Sequence, residues 1–344
     1  MTSQLLPTYA LTLGSQRWTE QALRIRVALE LAPRVDTLTV WLPITAPFSA
    51  DHGDTVELTI NSGETEEIVF TGEIDSIRRD FDSLRVSCIN AGGVLSRFRP
   101  AETYENVSAA TVIRNLLDTM GVDAATLEDG PDLAFYIADP SRTAWEHVAR
   151  VAAWGGAVAR INAANEVEAN VIDASQAEVA LLYGREITAL HADKRAATMD
   201  AFVIVGEAGA GDTASADVLR PSTDFFAGNR PDGPARGSRW RFEPALRTVK
   251  SAATAGAAAQ RLYASGLDSG LFRAFLLPQL RCGSVVEVQK LPDNLLAGPV
   301  WLTRVEHELS PGVATSSVHF QQGGDSFNPS ALLGSLAGVA GGLL

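Results

Sequence analysis

Leu23-Arg24-Ile25-Arg26-Val27-Ala28-Leu29-Glu30-Leu31 decides the fold class, because its apolar residues at 23, 25, 27, 29 and 31 alternate with Arg24, Arg26, Ala28 and Glu30. Side chains two apart share one face of an extended chain, so this is the pattern of a half-buried β-strand. The same period recurs outward from it. After Pro33, Leu38, Val40 and Leu42 alternate with Thr37, Thr39 and Trp41 until Pro43 ends the run. Beyond a loop containing Pro47 and Asp51-His52-Gly53-Asp54, Val56, Leu58 and Ile60 alternate with Glu57 and Thr59, and Asn61-Ser62-Gly63 supplies a turn. The runs Ile68–Ile74 and Leu84–Cys88 follow. At least five strands and no convincing helix within residues 1–98 predict an all-β sandwich or small barrel. Gly72, inside one of these runs, predicts a bulge or a close backbone approach.

The period changes near Pro100. Val112, Ile113, Leu116, Leu117 and Met120 share a helical face that begins at Ser108 and is stopped by Gly121. Thr143-Ala144-Trp145-Glu146 is a capping-box pattern opening a second helix, which runs through Val148, Val151 and Ala152 to Gly155-Gly156. Short strands at 158–161 and 167–172, joined by Asn162-Ala163-Ala164-Asn165, complete a helix-helix-hairpin module over residues 99–175. Strand character returns at 201–206 and gives way to a long loop, 207–247, in which Arg220, Arg230, Arg236, Arg239, Arg241 and Arg247 make an acidic chain locally basic. An Ala-rich helix over 249–265 is followed by strands at 284–288, 300–305 and 316–320. The fold class is therefore mainly β with an α/β insertion (α+β). Two β-barrel domains, 1–98 and 176–324, flank the small module, and an apolar tail occupies 325–344.

Composition narrows the function. The chain has 344 residues, 46% hydrophobic and 20% charged, which places it among globular proteins of two or three domains. Its formal charge of −13 argues against general nucleic-acid binding, which relies on clustered Lys and Arg. An acidic conduit would instead let DNA or acidic cargo slide without adhering. No run reaches the roughly 18 apolar residues of a bilayer span, and Met1-Thr2-Ser3-Gln4 opens no secretory signal, so assembly in the cytoplasm is expected.

Chemistry-bearing patterns are scarce, and no cofactor is expected. Cys88 and Cys282 have no Cys or His neighbour at zinc-like spacing, and Cys88 closes an alternating run as a buried strand thiol. Glu306-His307-Glu308 with His319 is the best candidate metal set, yet alternation along a strand puts His307 opposite the two glutamates. Gly206–Gly211 lacks the Gly-Lys-Ser/Thr ending of a phosphate loop. Glu73 and Asp75 read as exposed charges paired with Arg78 and Arg79. No Gly-x-Ser-x-Gly or Cys-His arrangement suggests a nucleophile. Trp41 faces away from Leu38, Val40 and Leu42, and an aromatic on the outside of a barrel points to a subunit interface.

The order of these features resembles the baseplate hub proteins of contractile tails, the late-control protein D family, and the hub part of type VI secretion spike proteins. The resemblance is carried by Leu38-Thr-Val-Trp-Leu-Pro43, Gly53-Asp-Thr-Val-Glu-Leu58, Val69-Phe-Thr-Gly-Glu-Ile-Asp75 and Ala91-Gly-Gly-Val-Leu95, then by Tyr104 ahead of the helix Ala109–Leu117. Later it rests on Leu280-Arg-Cys-Gly-Ser-Val-Val-Glu-Val288, Gly298-Pro-Val-Trp-Leu-Thr-Arg-Val-Glu-His307 and the strand from Thr315. It covers about 300 residues in order and implies a non-enzymatic homotrimer. Two barrels per chain would form a pseudo-sixfold ring that adapts a sixfold tail tube to a threefold spike. Implied partners are tail tube subunits, other baseplate proteins and a separate spike protein. The apolar strip Leu332, Leu333, Leu336, Val339, Leu343 and Leu344 is the expected contact with the spike or with symmetry mates. The competing classes, a tail-associated peptidoglycan hydrolase and an envelope-binding module, would need a catalytic set or would leave the two barrels unexplained.

Overall fold

The computed structural model describes residues 7–199, 201–206, 237–292, 295–296 and 298–322. The first part of the chain forms β1 (Thr8–Leu13), β2 (Gln16–Trp18), β3 (Arg24–Glu30), β4 (Thr37–Pro43), β5 (Thr55–Asn61), β6 (Glu66–Arg79), β7 (Ser83–Ile89) and the short helix α1 (Ala91–Leu95). The middle contributes β8 (Glu102–Ser108), α2 (Ala109–Met120), β9 (Ala124–Leu127), β10 (Asp132–Ala138), α3 (Ala144–Gly155), β11 (Val158–Ile161) and β12 (Val167–Asn170). The last part contains β13 (Val179–Leu182), β14 (Ile187–Lys194), β15 (Ala201–Val205), β16 (Ser238–Phe242), α4 (Val249–Ser265), β17 (Asp268–Phe275), β18 (Val285–Gln289), β19 (Val300–Ser310) and β20 (Val313–Gln322). The fold is mainly β with helical insertions, as the alternation predicts.

Both β-rich parts belong to one thirteen-stranded sheet, in which β14-β17-β20-β19 continues directly into β3-β4-β7-β6-β5-β1-β2, while β18 joins β19 and β13 joins β18. The junction is antiparallel pairing of β3 with β19, from Glu30 opposite Arg304 to Ile25 opposite Leu309. Inward residues of both halves, among them Ile25, Val40, Leu58, Val86, Phe272, Val305 and Phe320, form one continuous core. The strands described within residues 1–98 and, apart from β15 and β16, those described within 176–324 are thus halves of a single sheet.

Those halves repeat one topology. The order β3-β4-β7-β6-β5 in the first is matched by β14-β17-β20-β19-β18 in the second. Even the irregularities correspond: β6 slips register against β7 between Ile74 and Ser76, and β19 slips against β20 between Leu302 and Arg304. A bulge of this kind bends the bulged strand, so each half curves at the same place.

The expected helices form where the caps put them. Ser108 accepts from Thr111 N–H at the start of α2, and Gly121 ends it at φ 63°, a left-handed conformation that favours glycine. Thr143 and Glu146 make the full capping box of α3. Gly72 is a close approach: a Cβ there would sit 2.1 Å from the Ile89 carbonyl oxygen.

Several expectations are corrected. Strands β1, β2, β8, β9, β10, β13, β14 and β17 and helix α1 are additional to the expected elements, so the module is more than two helices and a hairpin. The last part of the expected 207–247 loop is strand β16, paired in parallel with β15; residues 207–236, with Arg220, Arg230 and Arg236, lie outside the described residues. Helix α4, expected within the second barrel, buries Ala252 and Ala255 in the module's core beside Leu116, Trp145 and Val151. The physical reason is its composition: an apolar face made of alanines permits the close helix-to-helix approach that α3 offers. The tail residues Leu332, Leu333, Leu336, Val339, Leu343 and Leu344 lie outside the described residues.

Candidate interaction surfaces

The residues best suited to chemistry do not converge. His307 is fully buried on the inner face of β19, where its Nδ1 lies 2.9 Å from Ser316 Oγ and burial pushes its pKa down to about 4. Glu306 and Glu308 point outward, bonding Arg26 and Arg24, and His319 is exposed. Among the described residues, no group of three or more His, Cys, Asp and Glu is arranged to hold a metal ion. Cys88 is buried and its thiol is pushed up to about 12, while Cys282 Sγ lies 3.0 Å from the Leu29 carbonyl oxygen in an equally buried site. Both thiols are held in the unreactive protonated form. Asp75 pairs with Arg97, and Arg78 with Asp80 at 2.9 Å, so the partners of this exposed charge group differ from the expected ones. The register slips between Ile74 and Ser76, so Asp75 stands outside the regular alternation on which the expected pairing relied.

One buried polar unit was not legible in the sequence. Tyr136 Oη lies 2.5 Å from His147 Nδ1, and His147 Nε2 lies 2.9 Å from the Asp139 carbonyl oxygen. A carbonyl can only accept, so Nε2 carries the proton and Nδ1 accepts from the tyrosine. Desolvation keeps this imidazole neutral by lowering its pKa. Tyr136 also packs edge-on against Trp154 at 5.8 Å and beside Tyr104 at 6.4 Å. With each ring nitrogen partnered and both side chains buried, the unit fastens β10 to α3 and leaves no open position for a substrate.

A second buried group, Asp36, also escaped sequence reading. Its Oδ1 accepts from the Glu30 N–H at 2.5 Å and its Oδ2 from Asn90 Nδ2 at 2.7 Å, while burial pushes its pKa up to about 7. Asn90 in turn caps α1. The loop after β3 is thereby tied to the base of the module, where the Ala32 N–H also donates to the Ala159 carbonyl at 2.9 Å and Trp145 Nε1 to the Arg34 carbonyl at 2.8 Å.

The outer face carries more organised chemistry. Arg26 grips Glu306 through two bonds of 2.9 and 2.8 Å, Arg24 meets Glu308 at 2.9 Å, and Arg304 meets Glu30 at 3.0 Å. This ladder lies over the β3–β19 junction. Trp41 is on the same face, with the guanidinium carbons of Arg24 and Arg85 at 5.1 and 5.5 Å from its ring. Its outward placement is as expected, and its ring is already engaged by cations of its own chain.

At one end of the first half, Phe81 is 100% exposed in the turn between β6 and β7, flanked by Asp80 and Asp82. Exposed Leu23 and Ile44 occupy the same end, Leu23 bonded to the Trp41 carbonyl and Ile44 to that of Asp82. Phe81 is not among the residues singled out from the sequence; its signal was an aromatic between two aspartates in a turn.

No family model matches the sequence, and no curated protein matches it. Solved structures do match the fold. A tail protein from Neisseria meningitidis MC58 superposes with a TM-score of 0.70 at 12% identity, over 92% of this chain and 96% of that one. The 43 kDa tail protein of prophage MuSo2 from Shewanella oneidensis gives 0.68 at 13% identity, over 92% and 98%. An Escherichia coli component of the type VI secretion system, itself similar to bacteriophage T4 tail proteins, gives 0.60 at 11% identity, over 90% and 76%. The chain thus has the fold shared by phage tail proteins and type VI secretion components, over nearly its whole length.

Proposed function

We propose that this protein is a structural baseplate hub of a phage tail or tail-like contractile injection system. The observation that carries the proposal is the matching of nearly whole chains: a fold this composite, a duplicated sheet with an inserted helical module, is shared with tail proteins over almost their full lengths. In this reading three copies form a ring of six sheet halves around a channel, joining a sixfold tube to a threefold spike. DNA or cargo crosses that acidic channel without specific binding. Spike protein, tube subunits and other baseplate proteins are its partners, the strip from Leu332 to Leu344 contacts the spike or symmetry mates, and the assembled particle is its location. Electron microscopy of the purified protein, alone and coexpressed with candidate tube and spike subunits, tests this. Threefold rings with an open channel are the expected particles. A compact monomer that degrades peptidoglycan would replace the hub with a hydrolase.

A further inference from the structure

The duplicated sheet leaves one of its own junctions unused. Inside the chain, β3 of the first half pairs with β19 of the second. The counterpart of β3 is β14, and the counterpart of β19 is β6. Among the described residues, β14 has β17 as its only ladder partner, and the Ser76–Arg79 part of β6 is paired only with β7, because β5 pairs with β6 no further than Glu73. Each strand therefore offers an open edge, the kind of surface that another chain extends.

The two edges are not joined within the chain, and a second copy can join them. We infer that β14 of one copy pairs antiparallel with the Ser76–Arg79 edge of β6 in the next, repeating between chains the β3–β19 junction found within each chain. This rests on the ring-forming reading above and deepens it by naming the edges and their register.

The register follows from the repeat. Matching the two bulges sets Ile74 with Leu302, hence Arg78 with Glu306 and Asp80 with Glu308. Counting across the sheet through Leu38 and Gly270, then Val40 and Phe272, sets Ile25 with Leu190, Arg26 with His191 and Ala28 with Asp193. In the internal junction Ala28 faces Glu306, Arg26 faces Glu308 and Ile25 faces Leu309. Between copies, Arg78 then faces Asp193, and the same count carries Phe81, in the turn just beyond β6, toward Leu190.

Three independent features agree with that register. Arg78 and Asp193 bring opposite signs directly across an antiparallel pair. Arg78 and Asp193 are highly exposed in the single chain, where each has only a neighbour on its own edge, Asp80 at 2.9 Å and Arg195 at 3.9 Å. Leu309, whose place Phe81 takes, is 7% exposed and packed in the core, while Phe81 is 100% exposed. A head-to-tail contact of this kind uses different surfaces on its two sides and closes into a ring when its rotation permits.

The test mixes two single-cysteine variants, Arg78→Cys and Asp193→Cys, under mild oxidation; native Cys88 and Cys282 are buried and do not compete. The expected result is an inter-chain disulfide in the mixture, none in either variant alone, and none when Arg79→Cys replaces Arg78→Cys, because residue 79 faces the other side of the sheet. In parallel, Phe81→Ser should weaken self-association at least about tenfold with an unchanged melting temperature of the single chain. Oligomers that form while the mixed Arg78→Cys and Asp193→Cys variants stay unlinked would overturn this pairing and leave the ring reading standing. A protein that stays monomeric at every concentration reached would overturn both.

Discussion

His307 and Asp36 are buried titratable groups whose pKa values move in opposite directions for the same reason, because burial disfavours whichever form is charged. For His307, pushed down to about 4, the unfolded chain binds a proton below about 6.5 that the folded chain refuses. Its contribution is full above that value and is lost as pH falls toward 4, by about 3 kcal/mol. For Asp36, pushed up to about 7, the folded chain holds a proton that the unfolded chain has released, so stability is full below pH 3.8 and is lost as pH rises through 7. Thermal melts between pH 4 and 6.5 should therefore separate under mutation. His307→Gln should leave a melting temperature that falls with rising pH, and Asp36→Asn one that climbs more steeply than in the parent protein. Parallel curves for all three would refute the assignment. Gly72→Ala belongs to the same scale: the added Cβ would lie 2.1 Å from the Ile89 carbonyl, and a backbone shift between β6 and β7 should cost about 2 kcal/mol or more in urea unfolding.

At the scale of elements, what holds β3 to β19 is chiefly the ladder and the apolar face beneath it. The arginine and glutamate pairs above are half exposed, so Arg26→Ala should cost only about 1 kcal/mol or less, whereas Thr143→Ala, which removes the cap of α3, should cost about 1 kcal/mol. A double-mutant cycle on Arg26 and Glu306 checks the first and a denaturant titration the second. The elements legible in the sequence were those whose burial alternates cleanly, as in Thr37–Pro43 and Thr55–Asn61. Those missed broke the pattern. β8 buries only Tyr104 among its seven residues, β10 is an almost unbroken apolar run, and β17 has Gly270 where an inward side chain would stand, because a Cβ there would meet Phe320 at 2.4 Å. The surface features fared similarly. Trp41 was readable from one strand alone, whereas Asp36, the Tyr136–His147 pair and the meaning of Phe81 depend on residues brought together only by the fold.

Across the whole molecule, chain order and spatial order diverge. The module is interrupted before its core is complete: Leu246, Ala252 and Ala255 arrive from beyond β16 to cover the face of α3. A fragment of residues 99–175 should therefore show the helical circular dichroism of a collapsed chain without a cooperative melt, and extending it with a covalently linked 243–265 segment should restore one. A sharp transition in the short fragment would contradict the shared core. The bond between Arg26 and Glu306 makes the same point more severely, since it joins positions 280 residues apart. During synthesis, at about 5–20 residues per second, β3 would wait roughly 15–60 s for β19 to be made. Throughout that interval its unpaired edge is presented to every other nascent chain nearby, so the junction that unifies the finished protein is also its period of greatest exposure to aggregation, and its yield in cells should depend on chaperone capacity more than its final stability suggests.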